Sequence, residues 1–247
     1  MKLAVDNITF RYDDEPLFQG LSFHVEAGEF VSILGPSGCG KSTILNLLAG
    51  ILAPESGEMR VDGAPIRGMS SHFAYMPQND LLFPWKTILQ NVCLHGRLHG
   101  TERQARERAK ELLPLFGLAG YGDAWPSDLS GGMRQRAAFL RTALCDADIL
   151  LLDEPFGALD VISRSDMQDW LVSMKRHLGR TCLLVTHDID EAIFLSDRIL
   201  VLGGRPADIR SEHRIVEANR TRDWLYAQGE LRHKLHDSIR GLEARAC

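Results

Sequence analysis

GPSGCGKS, the stretch from Gly35 to Ser42, decides the fold of this chain. It matches the pattern G-x-x-x-x-G-K-[ST], with a strand pattern over 30–34 before it and a helical pattern over 42–49 after it. Glycines let successive backbone N–H groups turn toward a phosphate, and the helix N-terminus adds positive potential. Lys41 is predicted to bind the β- and γ-phosphates, and Ser42 to offer its hydroxyl to Mg²⁺. The alternative is a glycine-rich turn that matches by chance.

Cys39 lies inside this loop, close to the predicted positive potential. Such potential favours a thiolate. The alternative is a small residue that fills a tight turn, and no partner is apparent that would activate a nucleophile. We interpret Cys39 as a candidate for modification and not as a nucleophile.

Two acids follow an apolar run that is typical of a strand covered on both faces. The run is Ile149 to Leu152, and Asp153 and Glu154 come directly after it. Catalytic groups in parallel sheets lie at the carboxyl ends of strands. Asp153 is therefore predicted to hold Mg²⁺, and Glu154 to orient or deprotonate the attacking water. The alternative is a pair of acids that ends a strand without chemistry.

A second candidate anion site is the sequence LSGGMRQR, from Leu129 to Arg136. Ser130 is a natural N-cap for the helix predicted after it, and a Ser-Gly-Gly helix start offers backbone N–H groups to an anion. Two anion sites in one fold predict either two different nucleotides or two copies that share one. Taken alone, the motif is also compatible with a plain helix cap.

The order of the remaining patterns predicts an α/β fold with a mainly parallel sheet. The N-terminal third reads as an antiparallel β portion, the middle (about 84–144) as a helical insertion, and the end as a helix over 223–242. Thr101 and Gln104 are predicted to form a capping box. Strands are predicted at 2–10, 21–25, 30–34, 57–61, 73–76, 149–152, 182–185 and 199–202, and further helices at 162–178 and 189–195.

The composition narrows the function classes. The net charge of -5 argues against nucleic-acid binding, which usually needs a basic face. Five scattered cysteines fit reduced thiols in a cytosol better than a disulfide framework. Neither a signal-peptide core nor a membrane-spanning segment is evident. If the protein works at a membrane, we expect it to act from the side of the membrane without crossing it.

Taken together, these motifs resemble those of the ATP-binding subunits of the ATP-binding cassette (ABC) transporters. The resemblance covers essentially the whole chain. It rests on GPSGCGKST (35–43), Gln78, LSGGMRQR (129–136), ILLLDEP (149–155), GALD (157–160) and His187, in that order. Other nucleotide-binding families with this loop, such as GTPases and small-molecule kinases, share only the loop and an acidic strand end.

The resemblance implies a phosphate-loop NTPase core, formed by one ATPase domain over 1–247 with the helical subdomain at about 84–144 and a C-terminal helix and tail at 223–247. It also implies a set of catalytic residues: Glu154, His187, Gln78 and Lys41. The implied metal ligands are Ser42, Gln78 and Asp153. The implied nucleotide-binding residues are Tyr12, Gly35, Pro36, Ser37, Gly38, Cys39, Gly40, Lys41, Ser42 and Thr43.

The resemblance further implies that two subunits sandwich two ATP molecules. Ser130, Gly131, Gly132 and Met133 are then expected to bind the nucleotide held by the partner, and Asp160 to contact the opposite site. Met133 replaces the glutamine that is commonest there. Tyr12 aligns with the aromatic residue that stacks on adenine in the family. Phe10 is the alternative, because the alternation of side chains along a strand places Phe10 and Tyr12 on the same side.

The segment Phe83 to Val92 and DEPFGALD (153–160) resemble bacterial importers of nitrate, sulfonates, taurine and pyrimidine precursors. That implies a homodimer or paralogue dimer on the cytoplasmic face of the inner membrane, bound to integral membrane permease subunits and served by an external substrate-binding protein. Trp85 is then expected to line a groove that receives a helix of the permease; packing of Phe83 and Trp85 between the lobes is the alternative.

Two other functions are weighed against the importer. A soluble ABC protein of DNA repair or translation would carry a long coiled coil between Thr43 and Leu129, or two cassettes in one chain. A small-molecule kinase would leave Leu129 to Arg136 and His187 unexplained.

Overall fold

The computed structural model describes residues 1–243, without the side chains of 176–178 and 241–243, so the last part of the predicted C-terminal tail (244–247) lies outside the described residues. The strands are Leu3–Tyr12 (β1), Glu15–Val25 (β2), Phe30–Leu34 (β3), Ser56–Val61 (β4), Ala64–Pro65 (β5), Phe73–Met76 (β6), Ile149–Asp153 (β7), Thr181–Thr186 (β8), Arg198–Gly203 (β9) and Asp208–Arg214 (β10). The helices are Lys41–Leu48 (α1), Ile88–Val92 (α2), Leu94–Leu98 (α3), Glu102–Leu115 (α4), Gly131–Ala143 (α5), Val161–Leu178 (α6), Ile189–Leu195 (α7), Arg222–Tyr226 (α8) and Gly229–Glu243 (α9).

The larger sheet has the order β10-β9-β3-β8-β7-β6. Strands β9, β3, β8, β7 and β6 pair in parallel, and only the edge pair β10-β9 is antiparallel. The predicted α/β class with a mainly parallel sheet is thus confirmed. Since β3, β7 and β8 are neighbours, their carboxyl ends bring Gly35, Asp153 and His187 to one edge of the sheet.

A second sheet, of order β2-β1-β4-β5, is antiparallel. It is the β portion predicted for the N-terminal third. The β1-β2 hairpin closes with Tyr12 opposite Glu15, and this end of the hairpin lies beside the phosphate loop. The second sheet therefore brings an aromatic residue to the edge of the larger sheet.

The core lies on both faces of the larger sheet, because each of its central strands is buried throughout. Residues such as Leu34, Leu152 and Leu184 pack against the helices on one face, including α5, α6 and α7. Their alternate neighbours, such as Ile33 and Val185, pack against α1 and the antiparallel sheet. Continuous burial of this kind explains why the strands carry apolar runs without alternation.

Helices α2 to α5 fill the stretch between β6 and β7, with a short 3-10 helix at Pro126–Asp128. The division of the chain into a core and a helical subdomain at about 84–144 stays a prediction. The predicted capping box at Thr101 and Gln104 is wrong: Thr101 makes no cap, and its backbone N–H and its hydroxyl both donate to Gly96 O. A capping box does form at the start of α2, between Thr87 and Gln90.

Three other elements differ from expectation. The helix predicted over 223–242 is broken, since α8 ends at Tyr226 and α9 begins at Gly229. Strands β5 and β10 were not predicted at all. Within residues 1–243, no helix combines the length and the apolar character needed to cross a membrane.

Candidate functional site

The phosphate loop runs from the end of β3 to the first residue of α1. Its shape requires glycine at two positions. A Cβ at Gly35 would lie 2.4 Å from Leu202 O, and Gly40 has a φ of 99° with a Cβ position 2.8 Å from the Phe18 ring. The buried Lys41 ammonium donates to Gly35 O at 2.9 Å and to Pro36 O at 2.8 Å, which holds it over the loop.

A hydroxyl and a carboxylate meet beside this loop. Ser42 Oγ donates to Asp153 Oδ1 at 2.9 Å, and Tyr75 Oη donates to Asp153 Oδ2 at 2.9 Å. Burial raises the pKa of Asp153, and the bonds from Ser42 and Tyr75 oppose that shift because they stabilise the charged form. Burial also raises the pKa of Tyr75, so its hydroxyl stays a donor.

Tyr75 is a site residue that the sequence did not reveal. It belongs to β6, whose side chains are only partly buried at Phe73 and Tyr75, and its register partner on β7 is Leu151. Only the pairing of β6 with β7 places its hydroxyl against Asp153. The sequence holds a weak signal, an aromatic polar residue in a strand next to the acidic strand.

Glu154 follows β7 and lies between two other predicted site residues. Its backbone is left-handed, with a φ of 42°, a conformation that non-glycine residues adopt at a cost and that is enriched at functional sites. Gln78 Nε2 donates to Glu154 Oε2 at 3.3 Å, and His187 Nδ1 lies 3.1 Å from Glu154 Oε1. The His187 ring is 52% exposed, whereas the Glu154 side chain is 19% exposed, so the pair faces solvent from the histidine side.

The burial of Cys39 opposes the effect of the positive potential on its thiol. Burial raises the pKa of this thiol, and the charge of Lys41 only partly offsets that rise. The Sγ atom also lies 2.9 Å from the position that a Cβ on Gly35 would take. Cys39 is thus a small side chain that fills the inside of the loop, the alternative weighed above.

Tyr12 is placed to meet a flat ligand next to the phosphate loop. Its ring is 51% exposed and its hydroxyl lies 3.3 Å from Thr43 Oγ1. Phe10, the competitor, is buried and packs edge-on against Tyr12 with ring centroids 4.9 Å apart. Tyr12 therefore offers the accessible ring face, with Phe10 as its support.

Two adjoining recesses meet at Tyr12, Leu17 and Gly38. One, of about 280 Å³, is also lined by Ser37, Gly40, Lys41, Ser42, Thr43 and Glu154. The other, of about 530 Å³, extends from Tyr12 along residues 13–17 to Arg205. One recess thus offers phosphate-binding groups and the other an aromatic face. The two lie side by side, as the phosphates and the base do in a nucleotide.

The LSGGMRQR motif lies in a different place. Ser130 is the N-cap of α5, as predicted, and its Oγ accepts from Met133 N at 3.3 Å. Gly131 lines a separate recess with Asp80, Gln135 and Leu159, while a Cβ on Gly132 would approach Ser163. This recess shares no lining residue with the recess at Lys41. One chain therefore does not bring Ser130 to Gly132 to its own phosphate loop.

Asp160 lies between these regions and caps α6, since its Oδ1 accepts from Ile162 N and Ser163 N, each at 3.1 Å. These bonds lower the pKa of its carboxyl, with the Ser163 side chain contributing most. The carboxylate is exposed, which leaves it available to a second molecule.

An aromatic pair, Phe83 and Trp85, protrudes from the segment before α2. The ring centroids lie 5.2 Å apart and Trp85 is 68% exposed, so it does not pack between the lobes. The buried Asn91 fixes this turn, because it accepts from Phe83 N at 2.7 Å and donates to Phe83 O at 3.1 Å and Lys86 O at 3.0 Å. The sequence did not reveal this role of Asn91.

Comparison with known proteins places these observations in a family. The family model described as "ABC transporter" matches residues 18–157. An aliphatic sulfonates import ATP-binding protein of Rhodococcus jostii (strain RHA1) is 49% identical, with 85% of this chain and 84% of that protein covered. A taurine import ATP-binding protein of Yersinia pestis bv. Antiqua is 39% identical, with 92% of this chain and 88% of that protein covered.

Solved structures give the same result. The ATP-binding cassette MJ0796, described as a dimer in a post-hydrolysis state bound to ADP and Pi, superposes with a TM-score of 0.72 at 28% identity; 87% of this chain and 99% of that chain are covered. A second neighbour is cbiO1 from Clostridium perfringens, described as part of the ABC transporter complex cbiONQ, with a TM-score of 0.77 at 26% identity and 95% and 94% coverage.

Proposed function

Since this chain belongs to the ABC transporter family, we propose that it is the ATP-hydrolysing subunit of an importer whose channel is formed by separate membrane subunits. The observation that carries the proposal is the grouping of Lys41, Ser42, Asp153, Glu154 and His187 at one edge of the parallel sheet. These groups are what phosphoryl transfer to water requires: a phosphate cradle, a carboxylate for a metal, and a base.

ATP is proposed to lie along the two recesses. The base stacks on the exposed face of Tyr12, an interaction that needs only a ring face. The triphosphate enters the loop, where backbone N–H groups and Lys41 neutralise its charge. Lys41 exchanges its bonds to Gly35 O and Pro36 O for phosphate oxygens.

The donor set beside the loop fits Mg²⁺, since it consists of hard oxygen ligands: the Ser42 hydroxyl and the Asp153 carboxylate, 2.9 Å apart. We propose that these two residues hold the ion, with the Gln78 side chain near Glu154 as a third contributor. The positive charge of an ion held by these residues would offset the negative charge of the phosphates.

Glu154 is proposed as the base that orients and deprotonates the attacking water. The left-handed backbone of Glu154 directs its carboxylate away from the strand. Gln78 and His187 flank this carboxylate, both within hydrogen-bond distance. His187 is proposed to hold the γ-phosphate and Glu154 in register. It is more exposed than Glu154, which fits a residue that meets ligand from the solvent side.

The second half of each site is proposed to come from a partner chain. Ser130 to Gly132 present a capped helix start away from the chain's own loop. A head-to-tail pair would bring that helix start to the partner's γ-phosphate, and the exposed Asp160 to the opposite site. The MJ0796 cassette is described as a dimer, which supports this arrangement. A homodimer and a pair with a paralogue are both compatible with it.

The membrane partner is proposed to dock at Trp85. An exposed tryptophan on a turn fixed by Asn91 offers a rigid apolar surface that suits an inserted helix. The subunit would then lie peripherally on the cytoplasmic face of the inner membrane, with an external binding protein that delivers the cargo. The relatives named for sulfonate and taurine import support a small sulfonate as cargo. The comparisons offer no support for a repair, translation or kinase function.

The Glu154→Gln variant tests this proposal. Phosphate release by the purified chain should fall by about a hundredfold or more, because the base is lost while the shape of the side chain is kept. ATP binding should persist, and light scattering should detect an ATP-dependent dimer. Glu111→Gln, at an exposed position on α4, is the matched control and should behave as wild type. Undiminished hydrolysis by Glu154→Gln would overturn the assignment of Glu154 as the base, and a wild-type chain that does not hydrolyse ATP would overturn the proposed function.

A further inference from the structure

Glu191 is a buried acid outside the site described so far. It lies on α7, four residues after His187, and is only 4% exposed. Its carboxylate has two partners: Thr186 Oγ1 donates to Oε2 at 2.6 Å, and Gln168 Nε2 donates to Oε1 at 3.2 Å. A carboxyl group with no route to water is costly unless it is bonded.

Thr186 and Gln168 each act as donors to Glu191 because a further group donates to each of them. Asp188 N donates to Thr186 Oγ1 at 3.0 Å, so the Thr186 hydroxyl proton is left for Glu191. Arg222, which can only donate, gives Nη1–H to Gln168 Oε1 at 3.0 Å, so the Gln168 amide must turn its NH₂ group to Glu191. The carboxylate between them accepts both bonds, an arrangement that suits its ionised form.

The Thr186 bond reaches the catalytic edge of the sheet. Thr186 ends β8, and the Asp188 side chain caps α7 through Asp190 N and Glu191 N. His187 stands between these two anchored residues and lies against Glu154. The orientation of the His187 ring is thus set by a turn whose inner bonds converge on Glu191.

We propose that Glu191 is a positioning residue for ATP hydrolysis, which through Thr186 holds the 186–188 turn so that His187 meets Glu154, and does so in its ionised form. This inference rests on the proposed roles of Glu154 and His187. Loss of the bond lets the turn rotate, and a small displacement of a group at the reacting atoms is enough to lower the turnover number.

The proposal includes a pH dependence. Burial raises the pKa of Glu191 to about 7, Asp188 adds to the rise, and Arg164, Thr186 and Gln168 oppose it. These groups come from β8, the start of α7 and α6, and Arg222 of α8 acts through Gln168. A protonated Glu191 is a weaker acceptor for these two donors than the carboxylate, so the turn should loosen as the pH falls below about 7.

The stability of the fold should have the opposite pH dependence. The folded pKa is raised from 4.5 to about 7, so between these values the folded chain binds more protons than the unfolded chain. The resulting stability is fully present below pH 4.5 and is lost as the pH rises through about 7. Activity and stability thus change in opposite directions over one pH window.

The test is the pH profile of kcat and KM for ATP in full-length Glu191→Gln, between about pH 5.5 and 8.5. The glutamine keeps the shape but offers one acceptor to two donors. We expect kcat at pH 8 to fall about tenfold with KM nearly unchanged, and the decline of kcat below pH 7 to flatten. The melting temperature of the variant should depend less on pH than that of wild type. Wild-type kcat together with the wild-type acid decline would overturn the proposal.

Two further variants keep the test decisive if Glu191→Gln folds poorly. Thr186→Val removes the hydroxyl and should lower kcat to a similar degree, whereas Thr186→Ser should restore it. Equal kcat in the valine and serine variants would overturn the proposal. Glu29→Gln is the matched control, since Glu29 is a poorly exposed acid paired with Arg198 in another part of the fold. It should lower the melting temperature and leave kcat unchanged; a fall in kcat as large as that of Glu191→Gln would mean that destabilisation alone explains the effect.

Failure of this proposal is distinguishable from failure of the proposed function. If Glu154→Gln abolishes hydrolysis and Glu191→Gln does not affect it, Glu154 keeps its role and only the positioning by Glu191 is wrong. If Glu154→Gln itself stays active, the assignment of the base is wrong.

Discussion

Burial and two hydrogen bonds act on the charge of Asp153 in opposite directions. Burial opposes its charge, while the hydroxyls of Ser42 and Tyr75 each donate to one of its oxygens. A proposed Mg²⁺ ligand must be deprotonated and must point in a fixed direction. Tyr75 serves both needs without touching the nucleotide loop, because it approaches from the neighbouring strand.

The Tyr75→Phe variant tests this role. Removal of the donor should raise the Mg²⁺ concentration for half-maximal ATP hydrolysis by about tenfold, as expected when a residue that orients a metal ligand is lost. The pKa of Asp153 should rise further, so the defect should deepen as the pH falls. Hydrolysis measured over a Mg²⁺ titration at two pH values checks both points. Tyr226→Phe, at an exposed position on α8, serves as control. An unchanged Mg²⁺ dependence would contradict the role.

The residues that could be read from the sequence are those whose chemistry is tied to local spacing. The loop from Gly35 to Ser42 and the pair Asp153-Glu154 can be recognised from the residues next to them in the chain. Tyr75 and Glu191 do not, because their roles arise from the pairing of β6 with β7 and from the packing of α6 on α7. The choice between the two interpretations of Cys39 needed the structure for a related reason: the motif indicates positive potential but not how deeply the thiol is buried.

At the level of elements, the buried parallel strands were the most predictable. Strands β3 and β6 have the predicted bounds, since their apolar runs reflect burial that the sequence displays. Strand β10, DIRSEHR, carries no such run. It is an edge strand that pairs only with β9, and its side-chain contacts, such as Ile209 on the core and Glu212 with Arg198, join residues far apart in the sequence. The capping box shows the same limit, because Thr87 and Thr101 differ only in the turn that precedes each helix.

Helix α8 is held to the core through Arg222 as well as through the buried Leu225. Its guanidinium donates to Asp169, to Gln168 and to Ser165 O, at 2.8, 3.0 and 2.6 Å, and lies 4.5 Å from the centre of the Phe194 ring. A planar group with several donors in fixed directions suits this place, and lysine does not. The predicted continuous helix over 223–242 is therefore two helices, of which the first is anchored separately.

The Arg222→Ala variant should lower the free energy of unfolding by about 2 kcal/mol, through the loss of charged hydrogen bonds and of contact with Phe194. Arg222→Lys should recover little of it. Urea denaturation followed by circular dichroism measures both. Arg103→Ala removes an exposed ion pair with Glu107 on α4 and should change the same quantity by less than about 0.5 kcal/mol. An effect of Arg222→Ala no larger than this control would mean that α8 is held by other contacts.

For the whole molecule, the central proposal is that one chain carries two unlike halves of a site. Lys41 and Glu154 line one recess, Asp153 lies beside it through its bond to Ser42, and Ser130 to Gly132 begin a helix elsewhere on the surface. An anion-binding helix start with no phosphate loop nearby has its simplest use in a second chain. The dimer is thus proposed from the placement of the residues as well as from the relatives.

A mixing experiment tests whether the sites are shared. Lys41→Ala removes the phosphate-binding charge from one face, and Ser130→Arg blocks the helix start on the other, so each variant alone should lack hydrolysis. In an equimolar mixture about half of the dimers pair the two variants, and in each of these one site carries both defects while the other carries none. The mixture should therefore recover about a quarter of the wild-type rate of phosphate release. A Ser130→Arg chain that hydrolyses ATP at the wild-type rate by itself would contradict the shared site, because it would mean that each chain completes its own chemistry.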